Sequence, residues 1–253
     1  MASRYNRQER IENWDQSKLD RTVALVGLGA LETYILEGLI GLGITNIMGF
    51  DFDKVELHNL NRQVLFLESD VGRLKCDAMS DRVSERNSEI VFTGFNERIT
   101  EDNVDILLDE ADIVIGALDN VHGRLVISDH VIKHDKIGIH CGTSVFGGEV
   151  CTYSRKTPCL RCFLEEPEDE LAMSCNREPD PAIVDTNMVI GALAVMQVRN
   201  ALMPLEGHQC YDPILYYNPR RFKTVNGIRQ PDPFWHVPLK KNPNCSCKKY
   251  SGE

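Results

Sequence analysis

Cys159 and Cys162 flank two residues behind Pro158, and Cys245 and Cys247 flank a single residue behind Pro243. Four thiols on two short knuckles have the donor set of a structural, tetrahedral zinc site; reduced thiols on two surface turns are the plain alternative. Far earlier in the chain, Gly27-Leu28-Gly29 closes one apolar run and opens another. Glycines there let a backbone approach a phosphate, and the N-terminus of the following helix attracts it. Asp51 ends the next apolar run, where a carboxylate can accept from ribose hydroxyls. Arg62 brings a planar fork of donors and Lys75 a compact charge. Either residue alone fits a solvated charged face, but two cations near one anion suit phosphates that are being worked on and not merely held. Asp119 and Asn120 end a later apolar run. A carboxylate in that place can hold Mg²⁺ against a triphosphate, and either residue can also cap the next helix.

The elements that would position these groups follow from hydrophobic periodicity. A strand at 22–26, a glycine turn, a helix to about Leu42 and a strand from Asn46 to Phe50 make a βαβ unit and imply a parallel sheet. A charged helix over "KCDAMSDRVSERN", a strand over "EIVFTGFN", a helix from about Glu101 to Leu108 and a strand over "ADIVIGALD" continue the alternation. The helix "HGRLVISDHVIKHD" and the strand "KIGIHCG" complete it, so residues 20–142 read as a doubly wound, Rossmann-like α/β half. Beyond Gly142, "EVCTYS" and "CYDPILYYNPRRFKTV" look like antiparallel ribbons that continue the sheet, and "MVIGALAVMQVRNAL" is an apolar helix. Acidic residues, three prolines and little periodicity mark a crossover loop over about 165–185.

At 253 residues and 42% hydrophobic content the chain can bury a core of its own. Its 28 basic against 38 acidic side chains give −10, which argues against non-specific binding to nucleic acid or an anionic membrane and favours a basic protein tail as partner. No signal peptide and no membrane span are legible, and nine cysteines, five of them outside any close pair, fit poorly with a secreted disulfide framework. The expected location is the cytoplasm.

Taken in order, "RYNRQ", "GLGAL", "DFDKVELHNLNRQ", the lysine of "GRLKCDA", "ALDN", "PCLRC" and "NPNCSC" resemble the MoeB/ThiF/HesA group of ubiquitin-activating-like adenylyltransferases, from about Arg4 to Cys247. The resemblance implies a single ThiF-like domain over 1–253, with a nucleotide-binding half at 20–142 and a carrier-binding and zinc half at 143–253. It implies ATP-dependent adenylation of the C-terminal glycine of a ubiquitin-like or sulfur-carrier protein ending in Gly-Gly, with release of pyrophosphate. Asp51, beside Asp53, would hold the ribose; Asn59 and Arg62 would contact the phosphates; Lys75 would neutralise them. Asp119, with Asn120 next to it, would position Mg²⁺, and Gly27 and Gly29 would let the nucleotide approach. Arg7 matches an arginine that reaches into the neighbouring subunit's site, so a homodimer is implied. Zinc would be held by Cys159, Cys162, Cys245 and Cys247, although the second knuckle is CxC where the family has CxxC. With no rhodanese-like or ubiquitin-fold segment in the sequence, a sulfur donor or conjugating enzyme is expected to be separate.

Three points stay open at the level of sequence. Cys175, near Arg177, matches a position that forms a thioester or acyl-disulfide in some relatives and is unreactive in others. Cys76, Cys141 and Cys151 lie in regular segments and read as core thiols, while Cys210 has no assigned place. Ala30 and Glu32 replace the last two glycines of the family loop, which leads us to expect weakened ATP binding, because Glu32 sets an anion at the positive end of a helix where phosphates would go. The alternative functions are an NAD-dependent oxidoreductase, supported by Gly27, Gly29 and Asp51, and a non-catalytic carrier-binding module.

Overall fold

The computed structural model describes residues 3–164, 181–207 and 214–251. Strand β1 (Thr22–Val26) is buried over Val23, Ala24 and Leu25, as an apolar run covered on both faces must be. It pairs in parallel with β2 (Asn46–Phe50) on one side and β4 (Ile113–Gly116) on the other. Beyond them lie β3 (Val91–Phe95) beside β2 and β5 (Ile137–Thr143) beside β4, both parallel. The sheet then changes direction: β6 (Gly148–Tyr153), β7 (Ile214–Tyr217) and β10 (Phe234–Val237) add antiparallel strands, giving the order β10-β7-β6-β5-β4-β1-β2-β3. One eight-stranded sheet thus runs from the parallel into the antiparallel part, and β8 (Phe222–Val225) with β9 (Ile228–Pro231) forms a separate exposed ribbon.

Alternate residues of β1 feed two cores. Val23 and Leu25 join one with α1 (Ala30–Leu42), α2 (Lys75–Arg86) and α5 (Val184–Leu202). Ala24 and Val26 join the other with α3 (Val104–Leu107), α4 (Val121–Lys133) and the cysteine knuckles. Helices cover both faces, which is the doubly wound arrangement. Helices α1 and α5 approach closely because each offers a glycine: a Cβ on Gly38 would lie 2.5 Å from Val195, and one on Gly191 would lie 2.7 Å from Tyr34. The short helix α6 (Lys248–Ser251) ends the described chain. Among the described residues no helix is long and apolar enough to cross a membrane.

Two elements are shorter than the periodicity suggests. The helix expected from Glu101 keeps only Val104–Leu107, with Thr100 N–H bonded to Asn103 Oδ1 in the turn that precedes it. The strand expected to reach Asp119 stops at Gly116, where its pairing with β1 and β5 ends.

The N-terminal segment lies at the far end of α1. Gly43 terminates that helix in the left-handed conformation, and Tyr5 packs where a Cβ would stand. Gln8 Nε2 donates to Leu42 O at 2.8 Å, and Arg4 reaches Arg86 O at 3.1 Å. Arg7, exposed between Tyr5 and Gln8, is therefore fixed about 20 Å from Gly29, the length of the 13-residue helix.

Candidate functional site

The chain order reverses around β1, and ligands of open α/β sheets bind at the carboxyl edge of such a point. Register brings the ends together, since Val26 is paired with Phe50 on one side and Gly116 on the other. Gly27, Asp51 and Ala117 thus leave the sheet side by side. Gly27 turns with positive φ and donates to Phe50 O at 2.8 Å.

Asp51 is buried and held from three directions. Its Oδ2 accepts from Leu28 N–H at 2.7 Å and its Oδ1 from Asp53 N–H at 2.8 Å. Lys75 Nζ, at the start of α2, lies 3.4 Å from Asp51 Oδ2 and 3.0 Å from Asp53 Oδ2. The intervening segment folds back to place it there, with Val55 N–H on Arg73 O, Gly72 N–H on Val55 O and Lys75 N–H on Asp53 O. Burial alone would lower the Lys75 pKa, but Asp51 and Asp53 outweigh it and keep the ammonium charged.

The structure draws Gly27, Gly29, Asp51, Asp53 and Lys75 into one cluster. Asp119 and Asn120 follow β4 at the same edge: Asp119 is exposed, while Asn120 caps α4 by accepting from Gly123 N–H at 2.7 Å. Asn59 is buried and its Oδ1 accepts from Glu56 N–H at 2.9 Å, closing a short turn. Arg62 donates to His58 O and Asn61 Oδ1, both at 2.9 Å. Two residues later, Val64 N–H reaches Thr33 Oγ1, so this segment lies over the beginning of α1. Arg7 sits at the opposite end of that helix and is not brought to the cluster. Cys175 and Cys210 lie outside the described residues.

Glu32 turns inward. Its Oε2 accepts from Gly29 N–H at 3.1 Å at the start of α1, and its Oε1 is buried without a partner. The amides of Gly27, Leu28 and Gly29 are therefore taken by Phe50, Asp51 and Glu32, all from within the chain. Burial, with Asp51 adding to it, pushes the Glu32 pKa up to about 7 against the opposing pull of its N–H donors and Lys75.

Sequence reasoning passed over Arg124. Its Nε donates to Leu118 O at 2.7 Å, which pins the turn carrying Asp119, and its guanidinium borders Gly142 near Glu149. Glu149 in turn meets the buried His140 at 3.4 Å. The signal was the spacing of Arg124 four residues after the capping Asn120, which puts both on one helix face.

On the opposite face, Cys159 Sγ lies 3.8 Å from Cys162 Sγ and 3.5 Å from Cys245 Sγ, and all four thiols including Cys247 fall within 4.8 Å of one another. Tetrahedral Zn–S bonds of about 2.3 Å require S···S edges of about 3.8 Å, close to the two separations that Cys159 makes. Leu160 N–H on Ser128 Oγ at 3.2 Å and Arg161 Nε on Asp129 at 2.9 Å fasten this knuckle to α4. Cys76, Cys141 and Cys151 are buried, and burial raises each thiol's pKa, to about 11 for Cys76.

Paired carboxylates and a lysine thus stand at the carboxyl edge of a doubly wound α/β sheet, where its strand order reverses. The ThiF family model matches residues 5–249, and the chain belongs to that family. It is 34% identical over 212 residues to the adenylyltransferase and sulfurtransferase MOCS3 of Culex quinquefasciatus, covering 81% of this chain and 48% of that protein. It is 33% identical over 224 residues to the sulfur carrier protein ThiS adenylyltransferase of Bacillus subtilis strain 168, covering 85% and 64%. The chain thus spans about half to two thirds of the length of these relatives. The molybdopterin-synthase adenylyltransferase of Escherichia coli K12, at 28% identity, is matched over 96% of this chain and 94% of its own. The fold recurs in E. coli MccB solved with AMPCPP and MccA, with a TM-score of 0.81 at 22% identity over 97% of this chain and 74% of that one.

Glu32 supplies a test of the inward-turned loop. A folded pKa of about 7, above the unfolded value, means the buried acid is tolerated when protonated and costs stability once ionised. Stability should fall as pH rises from about 4 to 7 and stay lower above. Glu32→Gln keeps an acceptor for Gly29 N–H and should remove that decline, gaining on the order of 1–3 kcal/mol over wild type at pH 8 relative to pH 4. Denaturant unfolding across this range measures it, and parallel pH profiles for the two proteins would contradict the buried acid.

Proposed function

We propose that the chain catalyses ATP-dependent adenylation of the C-terminal glycine of a ubiquitin-like or sulfur-carrier protein. The observation that carries the reading is the Asp51–Lys75–Asp53 cluster beside the exposed Asp119, at the carboxyl edge of a ThiF-family sheet. The names of the relatives support the substrate class, being adenylyltransferases of sulfur carrier protein ThiS or of molybdopterin synthase.

In this reaction an oxygen of the carrier's carboxylate attacks the α-phosphorus of ATP, and the bond from that phosphorus to the bridging oxygen of pyrophosphate breaks. Two anions must meet, so the protein's work is to position them and screen their charge. Asp51 keeps lone pairs beyond its two backbone donors and accepts from the ribose hydroxyls. Because the three turn amides are bonded internally, recognition of the phosphates falls to the cations: Lys75, exchanging Asp53 for phosphate, and Arg62, leaving His58 O. Asn59 acts through the turn it closes, which carries Arg62. Asp119, exposed and bonded at one oxygen to Asn120 Nδ2 at 3.3 Å, is the carboxylate that would hold Mg²⁺, an ion that would neutralise the triphosphate and assist departure of pyrophosphate. Arg124 fixes the turn bearing Asp119.

Arg7 lies about 20 Å from the Gly29 end of its own α1, so a role in catalysis requires a second copy of the chain. In the proposed homodimer each Arg7 completes the partner's site. Asp119→Ala and Arg7→Ala should each reduce carrier-dependent pyrophosphate–ATP exchange at least about a hundredfold, without loss of fold, since both side chains are exposed. Mixing the two variants should restore part of the activity through dimers holding one intact site. Exchange near the wild-type rate in Asp119→Ala, or no recovery on mixing despite verified subunit exchange, would overturn these assignments.

The four thiols are proposed to hold zinc, which would tie Cys159 and Cys162, on the turn after β6, to Cys245 and Cys247 near the end of the described chain. Elemental analysis of freshly purified protein should give one zinc per chain at this site, and chelation should loosen the C-terminal segment while ATP still binds. Protein purified free of zinc yet fully folded would remove the claim.

A further inference from the structure

Among the described residues, one cluster of ligating side chains besides the cysteines stands on the α3–α4 face. His130 and His134 are one helical turn apart, and His134 N–H still bonds to His130 O at 3.0 Å, so both rings leave the same side of the helix end. Their centroids are 4.5 Å apart. His130 Nδ1 and His134 Nε2 each lie 2.9 Å from the same oxygen, Oδ1 of Asp105 on α3. The other oxygen of Asp105 is paired with the Lys133 ammonium. A buried ring, a half-exposed ring and an accessible carboxylate thus converge on one point that solvent can reach.

We propose that Asp105, His130 and His134 form a second metal site, for a divalent late first-row cation of the zinc type. Two imidazole nitrogens and one carboxylate oxygen are the borderline donor set that prefers zinc, cobalt or nickel to calcium or magnesium. All three ligand atoms already fall within 4.8 Å of one another. Bonds of about 2.0–2.2 Å need only small rotations of the exposed Asp105 and leave a coordination position for water. His130, with a fully buried side chain, is held in place for this. Lys133 neutralises Asp105 while the metal is absent. Its side chain is 44% exposed, so it can withdraw when a dication takes the carboxylate. The site lies ten residues along α4 from Asn120, about 15 Å from the nucleotide edge. It would clamp α3 to the last turn of α4 and touches neither ATP nor carrier in the reading above.

Cobalt titration of the whole chain tests this, after zinc has filled the cysteine site. Wild type should take up one cobalt with the weak visible bands of nitrogen and oxygen ligands; binding at leftover thiols would instead give intense sulfur-to-cobalt charge-transfer bands. His134→Ala, at an accessible residue, and the isosteric Asp105→Asn should each weaken this binding at least about tenfold. Lys133→Met should bind cobalt several times more tightly than wild type, because a competing cation is gone. A purely structural ion network would show no such gain. Absence of the weak bands in both wild type and Lys133→Met, or undiminished binding in His134→Ala, would overturn the proposal.

Discussion

The carboxylate of Asp51 is the constraint on which the rest of the edge depends. A buried carboxylate is tolerated only when its charge is met, and here it is met by Leu28 N–H, Asp53 N–H and Lys75. Each hydrogen bond to an ionised group is worth about 1.5–3 kcal/mol, and losing any of them leaves charge uncompensated. The three partners come from the turn after β1, the end of β2 and the start of α2, so one side chain sets the relative positions of three segments. The carboxyl edge is accordingly organised by the chain itself, as the proposed electrostatic catalysis would require.

The same economy explains the glycine turn. Its tight path after β1 was legible from Gly27 and Gly29, and so were the central strands, whose unbroken apolar runs admit little else. The inward turn of Glu32 was not legible. A carboxylate in the first turn of a helix reads as a solvent-facing partner for the dipole, whereas here close packing against Gly27 and the need to cap Gly29 draw it under the loop. Asn59 shows a similar limit: a polar residue in a polar cluster suggests ligand contact, and only the backbone path reveals the Glu56 amide waiting for it. Asp105 with His130 and His134 escaped notice because the carboxylate belongs to another helix, and contact between elements is not written in local spacing. The cysteine set was legible for the opposite reason, since thiol chemistry names its own partners across more than eighty residues.

The architecture separates tasks by sheet face and edge. Charge and donors gather at the carboxyl edge of the parallel strands, where α1 and α4 begin. The thiols and the histidine cluster attach to the later part of α4, on the face opposite α1, α2 and α5. The N-terminal segment is fastened to the far end of α1 by Tyr5 and Gln8, which is why the proposed chemistry asks for a second copy while the fold itself does not.

The proposed activity is transfer of AMP to a protein's C-terminus. It is tested most directly with ATP labelled on the α-phosphate, Mg²⁺, the purified chain and the ubiquitin-fold proteins ending in Gly-Gly encoded by the same genome, quenched in acid and resolved as intact proteins. Label should appear on one such carrier with stoichiometric release of pyrophosphate, and removing the carrier's last glycine should abolish it. ATP binding without label on any Gly-Gly carrier would contradict this activity.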